Sequence, residues 1–415
     1  MAQRTQSSES GIVSRGGAGG AEIRIDCRGG SETRPLDELM HKHHFFEKVA
    51  AVVLWVIFVL PFVASGQTAK PNWQAEWDRT IELAKKEGRV VVSMPASNEL
   101  RAAIEKSFEK RYGIDVEPLV GRASTLVRKM IEESKAGVRY TDLHMGGSES
   151  IVTGMLPENI LDPLEPHMVL PEVRDPKQWW GGHIWVDGAK KFIYGSLAYQ
   201  TISLWHNTQM IKAEEARSFD DLLDEKFKGK IGYLDPRTPG SGASMWSWLR
   251  EIKGEEWLRK FAGQKLALSR DQRVLAEILA KGKLSVAIGL TYYSYAPFVK
   301  AGLPVEPLSV PKEGVYVSGG SGHVVALKNA PHPNATKLFL NWFLSREGQE
   351  VYTRAMQQGT RRLDVDTKSL RDVGVLAAKD YLTLEQYYKR ENQSEDKITR
   401  LREPAAALAR KLLDR

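Results

Sequence analysis

Between Arg89 and Gly146 the chain alternates between short apolar runs and stretches of helical spacing, and this constrains the fold more than anything else in the sequence. Arg89-Val-Val-Val-Ser-Met94 is β-branched without polar alternation, as in a strand covered on both faces. Leu100, Ile104 and Phe108 then share one helical face, and Gly113 stops the helix. A second strand is expected at 114–120, a second helix at about 124–136 with Ser124 as its cap and Gly137 as its stop, and a third strand at 141–145. Ahead of them, Trp73, Trp77, Ile81 and Ala84 mark a helix over 73–87. The β-α-β-α-β order predicts a parallel sheet with right-handed crossovers. Such sheets hold ligands beyond the carboxyl ends of their strands.

The alternation resumes after an apolar stretch, Phe192 to Trp205, read as strands leaving a first lobe. Ser218 caps a predicted helix, Lys228–Pro236 reads as a turn and strand, and Thr238–Ser244 opens a helix with Trp246 and Leu249. A strand at 284–290 precedes a helix from Thr291, return strands are expected at 303–310 and 315–318, and a strand at 324–327 leads to a helix ending at Leu344. The fold class is α/β, with two lobes, each a mostly parallel sheet flanked by helices. The expected divisions are 67–205 for the first part of lobe 1, 206–310 for lobe 2, 311–369 for the return to lobe 1, and 370–415 as a charged helical tail.

Residues 1–39 are rich in Gly, Ser and Arg and read as disorder or as translation upstream of the true start. From Met40 a basic stretch with His41, His43 and His44 precedes an apolar run, Val49 to Ala64, and the small residues Ala64-Ser65-Gly66. This pattern predicts a signal peptide over 40–66 and a periplasmic location, with a retained membrane anchor as the alternative. With one cysteine, Cys27, which lies upstream of Met40, neither an intramolecular disulfide nor a cysteine-based zinc site can form. The net charge of +7 comes from interleaved cations and acids, a bias toward anionic ligands without the basic tract of a nucleic-acid binder.

Three Gly/Ser loops fall at strand-to-helix junctions: 146–148, 239–244 and 319–322. Free amides with neighbouring hydroxyls there suit an oxyanion. With Ser97 in the loop after the first strand, the candidate ligand contacts are Ser97, Gly147 and Ser148 from lobe 1, and Ser241, Gly242 and Ser244 from lobe 2. Tyr292 and Tyr293 start a predicted helix. Phenolate is a hard donor that a trivalent ion can deprotonate, but adjacent helical residues diverge by ~100°. Both hydroxyls reach one ion only at a frayed helix start; otherwise one ring packs in the core and the other lines a pocket. Enzyme patterns are absent. There is no H-E-x-x-H, and Gly319-Gly320-Ser321-Gly322 is followed by His323 where a nucleophile elbow needs glycine. No Walker loop or G-x-G-x-x-G occurs.

The segments Ser218–Ile231, Val286–Tyr293 and Ala330–Gln349 resemble the family 1 extracellular solute-binding proteins, in particular their ferric-iron-binding branch, over about residues 73–360. The resemblance implies a type II periplasmic binding fold that grips a ligand between lobes and docks, as a monomer, on an ABC permease in the inner membrane. It implies Fe(III) held by Tyr292 and Tyr293 with a bound anion. The first loop reads Pro95-Ala96-Ser97-Asn98, without the histidine that some members place there. Related branches bind small organic anions such as carboxylates, phosphonates or sulfonates. A secreted enzyme or sensor module on the same framework is a further alternative.

Overall fold

The computed structural model describes residues 72–201 and 204–414, which fall within one compact unit running from Gln67. The expected leader, its alternative as an anchor, and Cys27 lie outside the described residues. Among those described, no helix is long and apolar enough to cross a membrane.

Two sheets organise the chain. The first contains β1 (Arg89–Met94), β2 (Asp115–Val120), β3 (Leu143–Gly146), β4 (Leu161–Asp162), β5 (Tyr194–Gly195) and, far along the sequence, β12 (His323–Leu327). Its order is β2-β1-β3-β12-β4, with β5 also on β12. β1 runs parallel to β2 and β3, whereas β12 is antiparallel to β3, β4 and β5. The early alternation thus builds the expected parallel half, and the returning strand makes the sheet mixed. The second sheet contains β7 (Leu204–Asn207), β8 (Ile231–Leu234), β9 (Ala267–Ser269), β10 (Val286–Ile288) and β11 (Val305–Pro307), in the order β11-β7-β10-β8-β9. β8, β9 and β10 are mutually parallel and β7 is antiparallel to its neighbours. A small ribbon pairs β6 (Tyr199–Thr201) with β13 (Val375–Ala377).

Each lobe has its own core. In lobe 1, Val90, Val92, Leu143, Phe108, Phe339 and Trp342 pack together, the Phe108 ring lying 5.2 Å from Phe339 and 5.3 Å from Trp342. Its long-range joint is a buried carboxylate: Asp142 accepts from the Val91 amide at 2.7 Å and from the amide and Nδ1 of His332, both at 2.8 Å. The helix after His332, Pro333–Leu344, is capped from afar by Glu87, which accepts from Ala335 N at 2.7 Å. In lobe 2, Tyr233, Trp246, Trp257 and Phe261 form an aromatic core, with Trp257 and Phe261 stacked at 4.9 Å.

Several local expectations change in detail. Arg122, not Ser124, precedes the helix Ala123–Lys135. The stretch after Ser218 forms two short 3-10 turns, Asp220–Leu223 and Glu225–Phe227, rather than one helix. The second return segment, 315–318, makes isolated bridges and no strand. The charged residues beyond 370 are built into both lobes: Val375–Ala377 pairs with β6, Ile398 joins a lobe 1 cluster, and Ala405, Leu408 and Leu412 pack into the lobe 2 core.

Candidate ligand-binding cleft

A cavity of about 510 Å³ lies where the carboxyl ends of β1, β3, β8 and β10 face one another. Lobe 1 contributes Pro95, Arg122, His144, Gly147, Ser148 and Tyr199; lobe 2 contributes Thr238, Ser241, Arg270, Gln272, Arg273 and Tyr293. The last part of the chain adds Gln358, Gln393 and Arg402.

Of the eight residues expected at the site, Gly147, Ser148, Ser241, Ser244 and Tyr293 line the cavity. Ser148 is fully buried and donates to Gln393 Oε1 at 2.9 Å, while the Ser241 hydroxyl donates to the Gly289 carbonyl. Ser97, Gly242 and Tyr292 are not in the lining. Ser97 is the cap of the helix Asn98–Ile104, its hydroxyl accepting from Leu100 N at 3.1 Å. Gly242 is a packing glycine: a Cβ there would overlap the Leu234 carbonyl, so this position lets the helix Ser241–Ala262 rest against the end of β8.

The tyrosines separate as a regular helix requires. They are the first two residues of the helix Tyr292–Lys300, after Thr291. Tyr292 turns into the lobe 2 core, its ring 6.1 Å from Trp205, whereas Tyr293 reaches over to pack against the lobe 1 core. Burial raises the Tyr293 phenol above its ordinary range, so it meets a ligand as a neutral hydroxyl. This geometry follows the reading of one ring in the core and the other in the pocket.

The electrostatics of the lining were not legible in the loops. Four arginines, Arg122, Arg270, Arg273 and Arg402, and three acidic residues, Glu149, Asp235 and Asp271, line the cavity. Arg402 pairs with Glu149, and Arg270 Nε lies 3.1 Å from Asp235, which Arg237 also binds at 2.8 Å. Asp271 caps the helix Gln272–Ala280 by accepting from Arg273 N at 2.8 Å and Val274 N at 3.3 Å. Among the described residues, Arg122 donates to the Arg270 carbonyl, at 2.8 Å, and to no carboxylate. Among the described residues, therefore, Arg122 and Arg273 have no carboxylate partner. Their only sequence signal was position, just after β2 and β9.

Two imidazoles lie under the lobe 1 wall. His144 is bonded through Nδ1 to Ser93 Oγ at 2.8 Å, and His323 Nδ1 lies 3.2 Å from the Gly146 carbonyl. Burial lowers each to about 4, so both are neutral at pH 7. His144 Nε2 is buried without a hydrogen-bond partner. Among the described residues, no group of three or more His, Cys, Asp or Glu could hold a metal ion.

Comparison with known proteins places this geometry. The chain is 18% identical to the iron-bound HitA of Pseudomonas aeruginosa, with a TM-score of 0.59 over 78% of this chain and 99% of that one. It is 21% identical to AfuA of Actinobacillus pleuropneumoniae, solved with fructose-6-phosphate, with a TM-score of 0.58 over the same shares. The shared architecture is the type II periplasmic binding fold. By sequence, the chain is 25% identical to an uncharacterized protein of Haemophilus influenzae over 66% of this chain and 78% of that protein. It is 27% identical to a putative 2-aminoethylphosphonate-binding periplasmic protein of Salmonella typhimurium over 38% of this chain and 48% of that protein. The family model for bacterial extracellular solute-binding proteins matches residues 89–355, well over half of the chain, and the chain belongs to that family.

Proposed function

We propose that this chain is the periplasmic solute-binding component of an ABC importer, and that its solute is a small organic anion bearing a phosphate- or phosphonate-type group. The observation that carries the reading is the pair of arginines, Arg122 and Arg273, that line the cavity from opposite lobes and have no carboxylate partner among the described residues. Every other charged residue of the lining is ion-paired or engaged as a helix cap. A tetrahedral oxyanion between them would accept charge-assisted hydrogen bonds from both lobes, favouring the closed arrangement by differential affinity. Thr291 and Tyr293 also line the cavity from lobe 2, the Thr291 hydroxyl donating to Gln272 Oε1 at 2.9 Å. The solute leaves unchanged, in keeping with the solute-binding family to which the chain belongs. The named ligands of the phosphonate-binding and sugar-phosphate-bound relatives support this chemical class.

Calorimetry with 2-aminoethylphosphonate, fructose 6-phosphate, inorganic phosphate and ferric citrate tests the assignment. At least one phosphorus oxyanion should bind, and Arg122→Gln or Arg273→Gln should weaken it about 10- to 100-fold, the worth of a hydrogen bond to a charged group at ~1.5–3 kcal/mol. A second reading, Fe(III) with a bound anion, has Tyr293 in its favour, the member of the expected phenolate pair that lines the cavity. Ferric citrate producing a visible charge-transfer band, with no binding of any phosphorus oxyanion, would favour iron and reject the organic anion.

A further inference from the structure

Glu149 lines the cavity, yet its carboxylate is engaged by the protein itself. It follows β3 in lobe 1 and is 7% exposed. Its Oε2 accepts from the amide of Gly240, in lobe 2, at 3.2 Å, and from Nη2 of Arg402. Arg402, 2% exposed, donates also to the Gly240 carbonyl at 3.2 Å. Gly240 immediately precedes the helix Ser241–Ala262, so the carboxylate occupies the positive end of that helix. One of the oxyanion cradles legible in the sequence is thus filled by the chain's own anion.

The third partner lies on a crossing between lobes. Ile398, upstream of Arg402, packs in a lobe 1 cluster, and Ala405, downstream, packs in the lobe 2 core. The same segment touches both sides again: Gln393 accepts from Ser148 of lobe 1 at 2.9 Å, and Asn392 Nδ2 donates to the Ser244 carbonyl of lobe 2 at 3.0 Å. Rotating the lobes apart would draw Gly240 away from Glu149 and strain Arg402 between them. Two buried charges would then lose part of their mutual satisfaction, an arrangement that low dielectric penalises.

We propose that Glu149 and Arg402 form an interlobe tether that sets the angle between the lobes before any solute enters, making Glu149 a positioning residue for capture. The proposal rests on the reading of this cleft as the solute site, and it directs the anionic end of the solute away from the Gly240 amide toward Arg122 and Arg273. The tether biases the chain toward closure, which raises apparent affinity by enlarging the competent fraction.

The test measures the lobe-to-lobe distance in the full chain carrying Cys27→Ser, spin-labelled at Lys110→Cys in lobe 1 and Lys260→Cys in lobe 2, with no solute added. The parent should give one narrow distribution. Glu149→Gln, which keeps the shape but removes the charge, should shift it to longer and broader distances. Arg402→Met should do the same, and the Glu149→Gln/Arg402→Met double variant should lie nearer the parent than Arg402→Met alone, because no buried charge is left unpaired. Should Glu149→Gln fail to fold, Arg402→Lys retains the charge but not the reach of the guanidinium Nη2 that donates to both Glu149 and the Gly240 carbonyl, and the same shift is expected. Distributions identical to the parent in folded variants would overturn the tether. Because no solute is present, that outcome leaves the ligand assignment standing, and failure of every phosphorus oxyanion to bind leaves the distance result intact.

Discussion

Acidification should destabilise this protein well above the range in which ordinary carboxylates titrate, because two imidazoles are buried neutral in lobe 1 beside the cleft. His144 on β3 and His323 on β12 sit on adjacent antiparallel strands, in a register that pairs His323 with Gly146 and His144 with Val325. Both side chains are fully buried or nearly so. Burial lowers each to about 4; for His323 the nearby cations Arg402 and Arg361 lower it further, against the hydrogen bonds to Gly146 and Gly320 that raise it. Measured from an ordinary value near ~6.5, the gap corresponds to about 3 kcal/mol for each ring. The sign follows from proton counting. Between pH ~6.5 and 4 the unfolded chain binds protons that the folded chain refuses, so the stabilisation is complete above that window and is lost as pH falls through it. About 2 kcal/mol per ring is gone by pH ~5. Asp142, raised by burial, works in the opposite sense at the acid end of the window. Urea titrations of the parent at intervals from pH 7.5 to 4.5 should therefore show a fall of several kcal/mol. Replacing His144 or His323 by Gln should lower stability at neutral pH but flatten the slope by about 2 kcal/mol over the same range. A parent whose stability is level from pH 7 to 5, or variants with the parental slope, would refute the reasoning.

Further outcomes concern the tyrosines and a buried arginine. Tyr293→Phe removes a hydroxyl from the cleft and should weaken 2-aminoethylphosphonate binding about 5- to 10-fold, one neutral hydrogen bond at ~1–1.5 kcal/mol, whereas Tyr292→Phe, in the lobe 2 core, should leave it within about twofold. Equal effects from both, read by intrinsic fluorescence, would contradict the divergence of the two rings. Arg361 is fully buried and its guanidinium donates to the carbonyls of Gly195, Trp180 and Gly182, with Trp179 5.5 Å from its centre. Arg361→Met should cost about 3–5 kcal/mol by leaving those carbonyls unpaired, and a loss below ~1 kcal/mol in chemical denaturation would show that water or rearrangement satisfies them.

The division between what local sequence carries and what it does not is visible residue by residue. The β-α-β-α-β unit from Arg89 to Gly146, the glycine stops, and the helix after Pro331 were legible because period and capping are properties of neighbouring residues. So was the placement of Ser148, Ser241 and Ser244, since strand ends in such folds converge. The ~100° step between adjacent helical residues also anticipated that Tyr292 and Tyr293 could part. Which of them would face the cavity was decided only by packing, when Trp205 took one ring and the lobe 1 core the other. Arg122 and Arg273 stood out only once the carboxylates around them were seen to be committed elsewhere. The residues beyond 370 read as a charged helical tail, yet Arg402 meets Glu149 in the interior and Gln393 meets Ser148 across 245 positions of sequence. Local pattern determines the faces of helices and strands. Which distant faces meet, and which charges are thereby paired or left for a solute, depends on how the two lobes and the segments that cross between them share one space.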